Sequence, residues 1–281
     1  MMKKLLSHTL RNLSAPLLFR GRLRGGERSE GWGQGVALLV ALCCSVLTAS
    51  AQGFFKDLDV TARAAYAIGG TAPVPMPASI RHLDRFPLKP NVDVGIDVRK
   101  PVGGRWGVLT GLHFEGKGME TDARVKGYHE VLTRGGETLE GLFTGNVVTR
   151  VRQWMFTVPL QTTFDISSRV RMRLGPSVSV VTAHGFDGSA YNGYLRVGDP
   201  TGPKVELGSE EGERGTYDFR DEMRRTLWAV DLGADWQLTR RFGLYADLSW
   251  GVNGIHHSHF HAIEQTLYPI YGKIGVSYKI K

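Results

Sequence analysis

The sequence predicts an all-β protein: an eight-stranded antiparallel transmembrane up-and-down β-barrel, preceded by a cleaved signal peptide. Three observations predict it. Apolar side chains recur at every second position in eight separate segments. Large aromatics sit near both ends of the apolar faces, and the connections between segments are alternately short and long.

The first 51 of the 281 residues read as a signal peptide. A basic opening (Lys3, Lys4, Arg11, Arg20, Arg22, Arg24, Arg28) leads into the apolar run Val36 to Leu47, which ends at Ala49-Ser50-Ala51. About 12 apolar residues are too few for a spanning helix, which needs about 20. Small residues at 49 and 51 place the cut before Gln52, leaving 52–281 as the barrel domain. Cys43 and Cys44 lie in the leader without the small residue that precedes a lipidation site, so the mature chain carries no thiol. The leader also holds seven basic and two acidic residues, and its removal lowers the formal charge from +8 to +3. A nucleic-acid partner loses its electrostatic support.

In chain order, the first strand presents Leu58, Val60, Ala62, Ala64, Tyr66 and Ile68 on one face. The second presents Val92, Val94, Ile96 and Val98, and the third Trp106, Val108, Thr110, Leu112 and Phe114. Trp154, Phe156, Val158, Leu160, Thr162 and Phe164 form the fourth; Val170, Met172, Leu174, Pro176, Val178 and Val180 form the fifth. The sixth runs from Trp228 to Leu238, the seventh from Phe242 to Val252, the eighth from Ile270 to Ile280. Charge and glycine fill the alternate positions, broken by Leu109, Met155, Val181 and Leu227. Pro159 and Pro176, which lack an N–H, are expected at bulges or ends of pairing.

Alternation alone does not choose between lipid and an inward-facing soluble core. The aromatics choose. Trp106 and Phe114, Trp154 and Phe164, Trp228 and Trp236, and Phe242 and Trp250 are spaced by about eight to ten residues, and Tyr278 ends the last strand. At ~3.3 Å per residue and a ~40° tilt, that is roughly 20 Å along a membrane normal, close to the ~25 Å band between aromatic girdles. Short turns are expected near Pro101-Val102-Gly103-Gly104, Ile166-Ser167-Ser168 and Thr239-Arg240, and long external loops near 69–90, 115–150, 183–223 and 253–268. Such a pattern puts both termini in the periplasm of a Gram-negative envelope.

Four segments carry a family resemblance: Gly111-Leu112-His113-Phe114-Glu115-Gly116-Lys117-Gly118, Thr157-Val158-Pro159-Leu160, Leu174-Gly175-Pro176-Ser177-Val178 and Gly275-Val276-Ser277-Tyr278. With them the chain resembles the PorT-like outer-membrane β-barrel family across the mature region. The resemblance implies a signal peptide, about eight strands, and assembly by the barrel-assembly machinery. Such barrels usually finish on an aromatic residue; here Lys281 is last and Tyr278 stands three residues earlier.

The inward faces are expected to carry Asp57, Asp59, Arg63, Asp93, Asp97, His113, Glu115, Arg169, Arg171, Arg173, Asp231, Asp235 and Asp247. Eight strands enclose only enough width for side chains, so these charges must pair. Arg63, Asp93, Asp97, Arg171, Arg173, Asp231, Asp235 and Asp247 are the expected network, an interior without a pore. In the last loop His257, His259 and His261 alternate, and imidazoles two apart on an extended segment share a side. They are candidate ligands for zinc, copper, nickel or haem. Pro73, Pro75 and Pro77 predict a stiff, extended segment over the barrel mouth. Asp187-Gly188 and Asn192-Gly193 predict hairpin turns, and Glu206, Glu210, Glu211 and Glu213 a solvated or lipopolysaccharide-facing patch.

No Gly-x-Ser-x-Gly elbow, His-Glu-x-x-His or phosphate loop is present. His113, His184 and Asp187 are the best-placed residues for a rim hydrolase, and an enzyme is not expected. The sequence favours a small poreless outer-membrane protein that contacts lipid and lipopolysaccharide and binds a protein or glycan through its external loops, or supports secretion. Two alternatives stand beside it: a metal or haem receptor using the histidine loop, and a soluble periplasmic ligand-binding barrel with Trp106, Trp228, Trp236 and Trp250 lining its cavity.

Overall fold

The computed structural model describes residues 57–87, 89–260, 262–263 and 266–281; the expected leader lies outside them. Among the described residues there are eleven strands: β1 (Asp59–Pro73), β2 (Ile80–Arg85), β3 (Asn91–Gly103), β4 (Trp106–Arg134), β5 (Glu137–Asp165), β6 (Val170–Val197), β7 (Lys204–Leu207), β8 (Gly215–Asp218), β9 (Thr226–Gln237), β10 (Phe242–Gly251) and β11 (Leu267–Lys279). Eight form a ring. β1, β3, β4, β5, β6, β9, β10 and β11 each pair antiparallel with the next, and β11 returns to β1. Ala64 lies opposite Val94 on one side and Val276 on the other, so β1 has no free edge.

The eight expected strands coincide with these ring segments, but two expected loops do not. Residues 115–150 continue β4 and β5 as one long hairpin, closed by Gly135 and Gly136. Both glycines have positive φ, 59° and 89°, which a two-residue turn of this hand requires. Most of the first part of 183–223 continues β6, so Asp187-Gly188 and Asn192-Gly193 are not turns. Asp187 pairs with Arg150 inside the ladder. Gly188 is small because the Tyr217 ring crosses it, and Asn192, at φ 48°, sits beside the register shift around Gly145.

Pro159 and Pro176 meet without a bulge. The β5–β6 ladder keeps one register from Pro159↔Ser177 to Thr162↔Leu174 and skips the steps between, where the missing N–H groups fall.

The three long strands rise past the ring as an extension. β2 adds to β4, β7 to β6, and β8 bridges β4 and β6. The extension has its own hydrophobic core, with Leu132, Phe143, Phe186, Leu195 and Ile255 essentially inaccessible. β-Bulges aim side chains into it. On β4 the buried positions up to Val125 are odd apart from Gly116, which Trp154 covers; the shift at Gly127 then makes them even, giving Tyr128, Glu130 and Leu132.

Candidate functional site

The ring turns its apolar side chains outward. Trp106, Trp228, Trp236 and Trp250 are 55%, 51%, 54% and 48% exposed, among exposed Val, Leu and Ile. The soluble barrel with these tryptophans inside is overturned: a cavity-lining indole cannot be half exposed on the outer surface. The aromatics form two rows. Trp106 packs on Phe164 at 4.7 Å and Phe242 on Tyr278 at 5.0 Å at the short-turn end, where Trp236 also lies. Phe114 stacks on Trp154 at 5.2 Å toward the other end, the level reached by Trp228 and Trp250 along their strands.

Charged residues fill the inside. Arg173 pairs with Asp247 and Asp235, and donates to the Gln161 carbonyl oxygen at 3.0 Å. Asp235 accepts two hydrogen bonds from Arg63, at 2.8 and 3.1 Å, and Arg63 also pairs with Asp97. His113 bridges Asp97 and Asp93 through its two ring nitrogens at 2.9 and 2.7 Å. Lys273 then joins Asp93 to Glu115 at 2.7 and 2.9 Å, and Lys117 meets the second Glu115 oxygen at 2.6 Å. The chain of contacts draws on all eight ring strands, and the guanidinium of Arg63 lies 4.6 Å from the Tyr245 ring centre. Glycines opposite the large groups make this possible; a Cβ at Gly233 would strike the Asp247 carboxylate and Arg173. The space left between the charges is about 20 Å³, room for one small molecule such as water.

Several expected members sit elsewhere. Arg171 pairs with Asp165 near the short-turn end, at 2.5 Å. Asp231 accepts a long contact from Gln161, at 3.4 Å. Asp57 and Arg169 are exposed, because the one precedes β1 and the other lies in the β5–β6 turn. Sequence reading passed over Arg99, which joins Asp59 and Asp165, and the lysines at 117 and 273. Parity would have found them: Arg99 follows Asp93 and Asp97 on the inner face, Lys117 follows His113 and Glu115, and Lys273 shares its face with Tyr271 and Gly275. Met155, Val181 and Leu227, which broke the alternation, form a small apolar cluster inside the ring.

The histidine loop lies beside the extension. His257 and His259 stack with ring centres 5.4 Å apart, and His259 Nε2 is 3.2 Å from a Glu222 carboxylate oxygen. His261 lies outside the described residues, and among the described residues no three His, Cys, Asp or Glu side chains gather as a metal site. His256 turns inward against Phe186 and Phe260, where burial, with a smaller contribution from His257, lowers its pKa to about 4. Of the residues considered for hydrolysis, His113 is held between two carboxylates in the ring, whereas Asp187 pairs with Arg152 at 2.7 Å on the extension. They do not form one site.

A closed ring with an apolar outside and a polar, filled inside defines a membrane-spanning β-barrel. The chain belongs to the outer membrane protein beta-barrel domain family, whose model matches residues 50–257. Membership places it in the outer membrane, with its apolar face against lipid and lipopolysaccharide. Among solved structures it is similar to Ail of Yersinia pestis (10% identity, TM-score 0.35), covering 79% of this chain and 98% of that one. Neisserial surface protein A (12%, 0.36; 79% and 97%) and CarO of Acinetobacter baumannii (11%, 0.38; 79% and 97%) are similar to the same degree. No curated protein matches.

Proposed function

We propose that this protein is a non-conducting outer-membrane anchor that presents the extension outside the cell as a binding platform for a protein or glycan partner. The observation that carries the reading is the filled interior: a continuous ion-paired chain crosses it, with about 20 Å³ left between the charges. A solute has no path there, so function falls to the part that projects. In this reading the short-turn end and both termini face the periplasm, and the exposed Glu206, Glu210, Glu211 and Glu213 face lipopolysaccharide or solvent. Removal of the leader after Ala51, assembly by the barrel machinery and kinship with PorT-like proteins in support of secretion belong to the same proposal.

Two measurements test it. Planar-bilayer recordings of the folded protein are expected to show no unit conductance; steady channels would sink the anchor reading. On intact cells, added protease is expected to cut the extension and leave the ring intact, and cleavage only after the outer membrane is opened would reverse the orientation. A second reading, metal capture, is favoured by the stacked His257 and His259 beside Glu222. It requires stoichiometric zinc, copper or nickel binding that disappears in His257→Ala/His259→Ala.

A further inference from the structure

A cavity of about 620 Å³ opens in the extension, between the stretch from β1 to β2 and the sheet of β4, β5 and β6. That volume lies within the ~300–1,000 Å³ range of small-molecule sites. Its walls are hydrocarbon, with Met119, Val147, Phe186 and Leu267 among them, and its mouth carries Met76, Leu83 and Phe86, which are 65%, 48% and 38% exposed. Apolar side chains left open around an apolar hollow mark a place that something apolar enters.

One polar group sits in this wall without a partner. Glu130 is 1% exposed, and its Oε2 has no hydrogen bond among the described residues. Such an orphan is costly, on the order of 1–3 kcal/mol, and native folds seldom keep one without a use. The other polar groups facing the cavity are engaged or at its edge. The Tyr217 hydroxyl contacts Thr149 at 2.7 Å and donates to the Val148 carbonyl. Arg81 and His82, on β2, are exposed, and the Tyr128 phenol is largely buried.

The geometry points to a binding site for a small apolar molecule whose single polar group, a carbonyl, ether or hydroxyl oxygen, accepts a hydrogen bond from the Glu130 carboxyl. Glu130 stands about 16 residues beyond Phe114 on β4, ~50 Å of strand, so it lies outside the membrane-spanning part. Burial pushes its pKa up to about 8, which keeps the carboxyl protonated, and therefore a donor, at neutral pH. A carboxylate ligand would add a second acid where one is already poorly solvated. The site is independent of which way the barrel faces, so the inference survives a failure of the platform reading.

The test uses the full chain in lipid nanodiscs with ¹³C-methyl methionine, titrated with 1-decanol. The Met119 methyl is expected to shift and saturate, while Met155, inside the ring, stays put. Ala123→Trp, which fills the cavity, is expected to abolish the shift; Glu130→Leu is expected to weaken binding about tenfold, and Glu130→Gln, still a donor, to retain most of it. Parent-like amide-exchange protection of β4, β5 and β8 in the extension shows that each variant is folded around the site. Failure of Met119 to saturate in the parent chain, or equal affinity in Glu130→Leu, would overturn the site. Tighter binding of decylamine than of decanol at pH 7 would overturn the neutral headgroup.

Discussion

The ring and the extension solve opposite problems with the same strands. On β4, residues 113, 115 and 117 point inward as His, Glu and Lys; two residues later on the same face comes Met119, and the core above it is hydrocarbon. Inside the ring, lipid takes the apolar face and the charges must pair with one another. Past the aromatic row, water surrounds the strands and the hydrophobic effect turns the apolar side chains inward. The environment, and not the strand, decides which face is greasy.

The largest effect is expected in the ring. Arg173→Ala strands Asp247 in a space with no water column and leaves Asp235 to Arg63 alone, a loss of about 3–5 kcal/mol for breaking a buried pair. Its signature is a lower temperature at which the compact band is lost on an SDS gel. In the extension Leu132→Ala is expected to cost about 2–5 kcal/mol, read as faster amide exchange in β4, β5 and β8 while the gel-shift temperature holds. If both variants weakened both regions alike, ring and extension would be one cooperative unit and the contrast would fail.

The eight ring strands were legible because period-two alternation is a direct image of a two-faced wall, and the charged positions at 63, 93, 97, 173 and 235 followed from parity. The extension was not. From 115 to 150 the chain carries Gly, Thr, Glu and Arg between its apolar residues, and the bulge at Gly127 changes which parity is buried on β4, so no single alternation runs through it. A shift in phase looks like the end of a strand. For the same reason Asp187-Gly188 read as a turn, although glycine there answers to the Tyr217 ring, a contact invisible in local sequence.

Acidity separates the regions further. Glu130 has a folded pKa of about 8 against an ordinary 4.5. The folded state therefore holds the proton more tightly than the unfolded one, and the stability this confers below pH 4.5 is lost as pH rises toward 8. His256 works the other way: its pKa of about 4, below the ordinary 6.5, removes stability as pH falls from 6.5 through 4. Between pH 6.5 and 8 the extension is expected to weaken with rising pH by up to about 1.4 kcal/mol per unit. Arg81, His82, Tyr128 and Tyr217 also face the cavity, so the comparison that isolates Glu130 is the same titration in Glu130→Gln, where the slope is expected to flatten. An unchanged slope would assign it to another group. The smallest effect is expected at the exposed His259–Glu222 pair, where alanine at either position is expected to change stability by less than about 1 kcal/mol.

The most direct test of the central claim is tryptophan quenching by brominated lipid. Trp106, Trp154, Trp228, Trp236 and Trp250 all stand on the outer face of the ring, so in bilayers of dibrominated phosphatidylcholine their fluorescence is expected to fall strongly, while acrylamide in the water quenches little. Fluorescence untouched by bromine would contradict the account, because it would mean that the apolar face of these strands does not meet lipid.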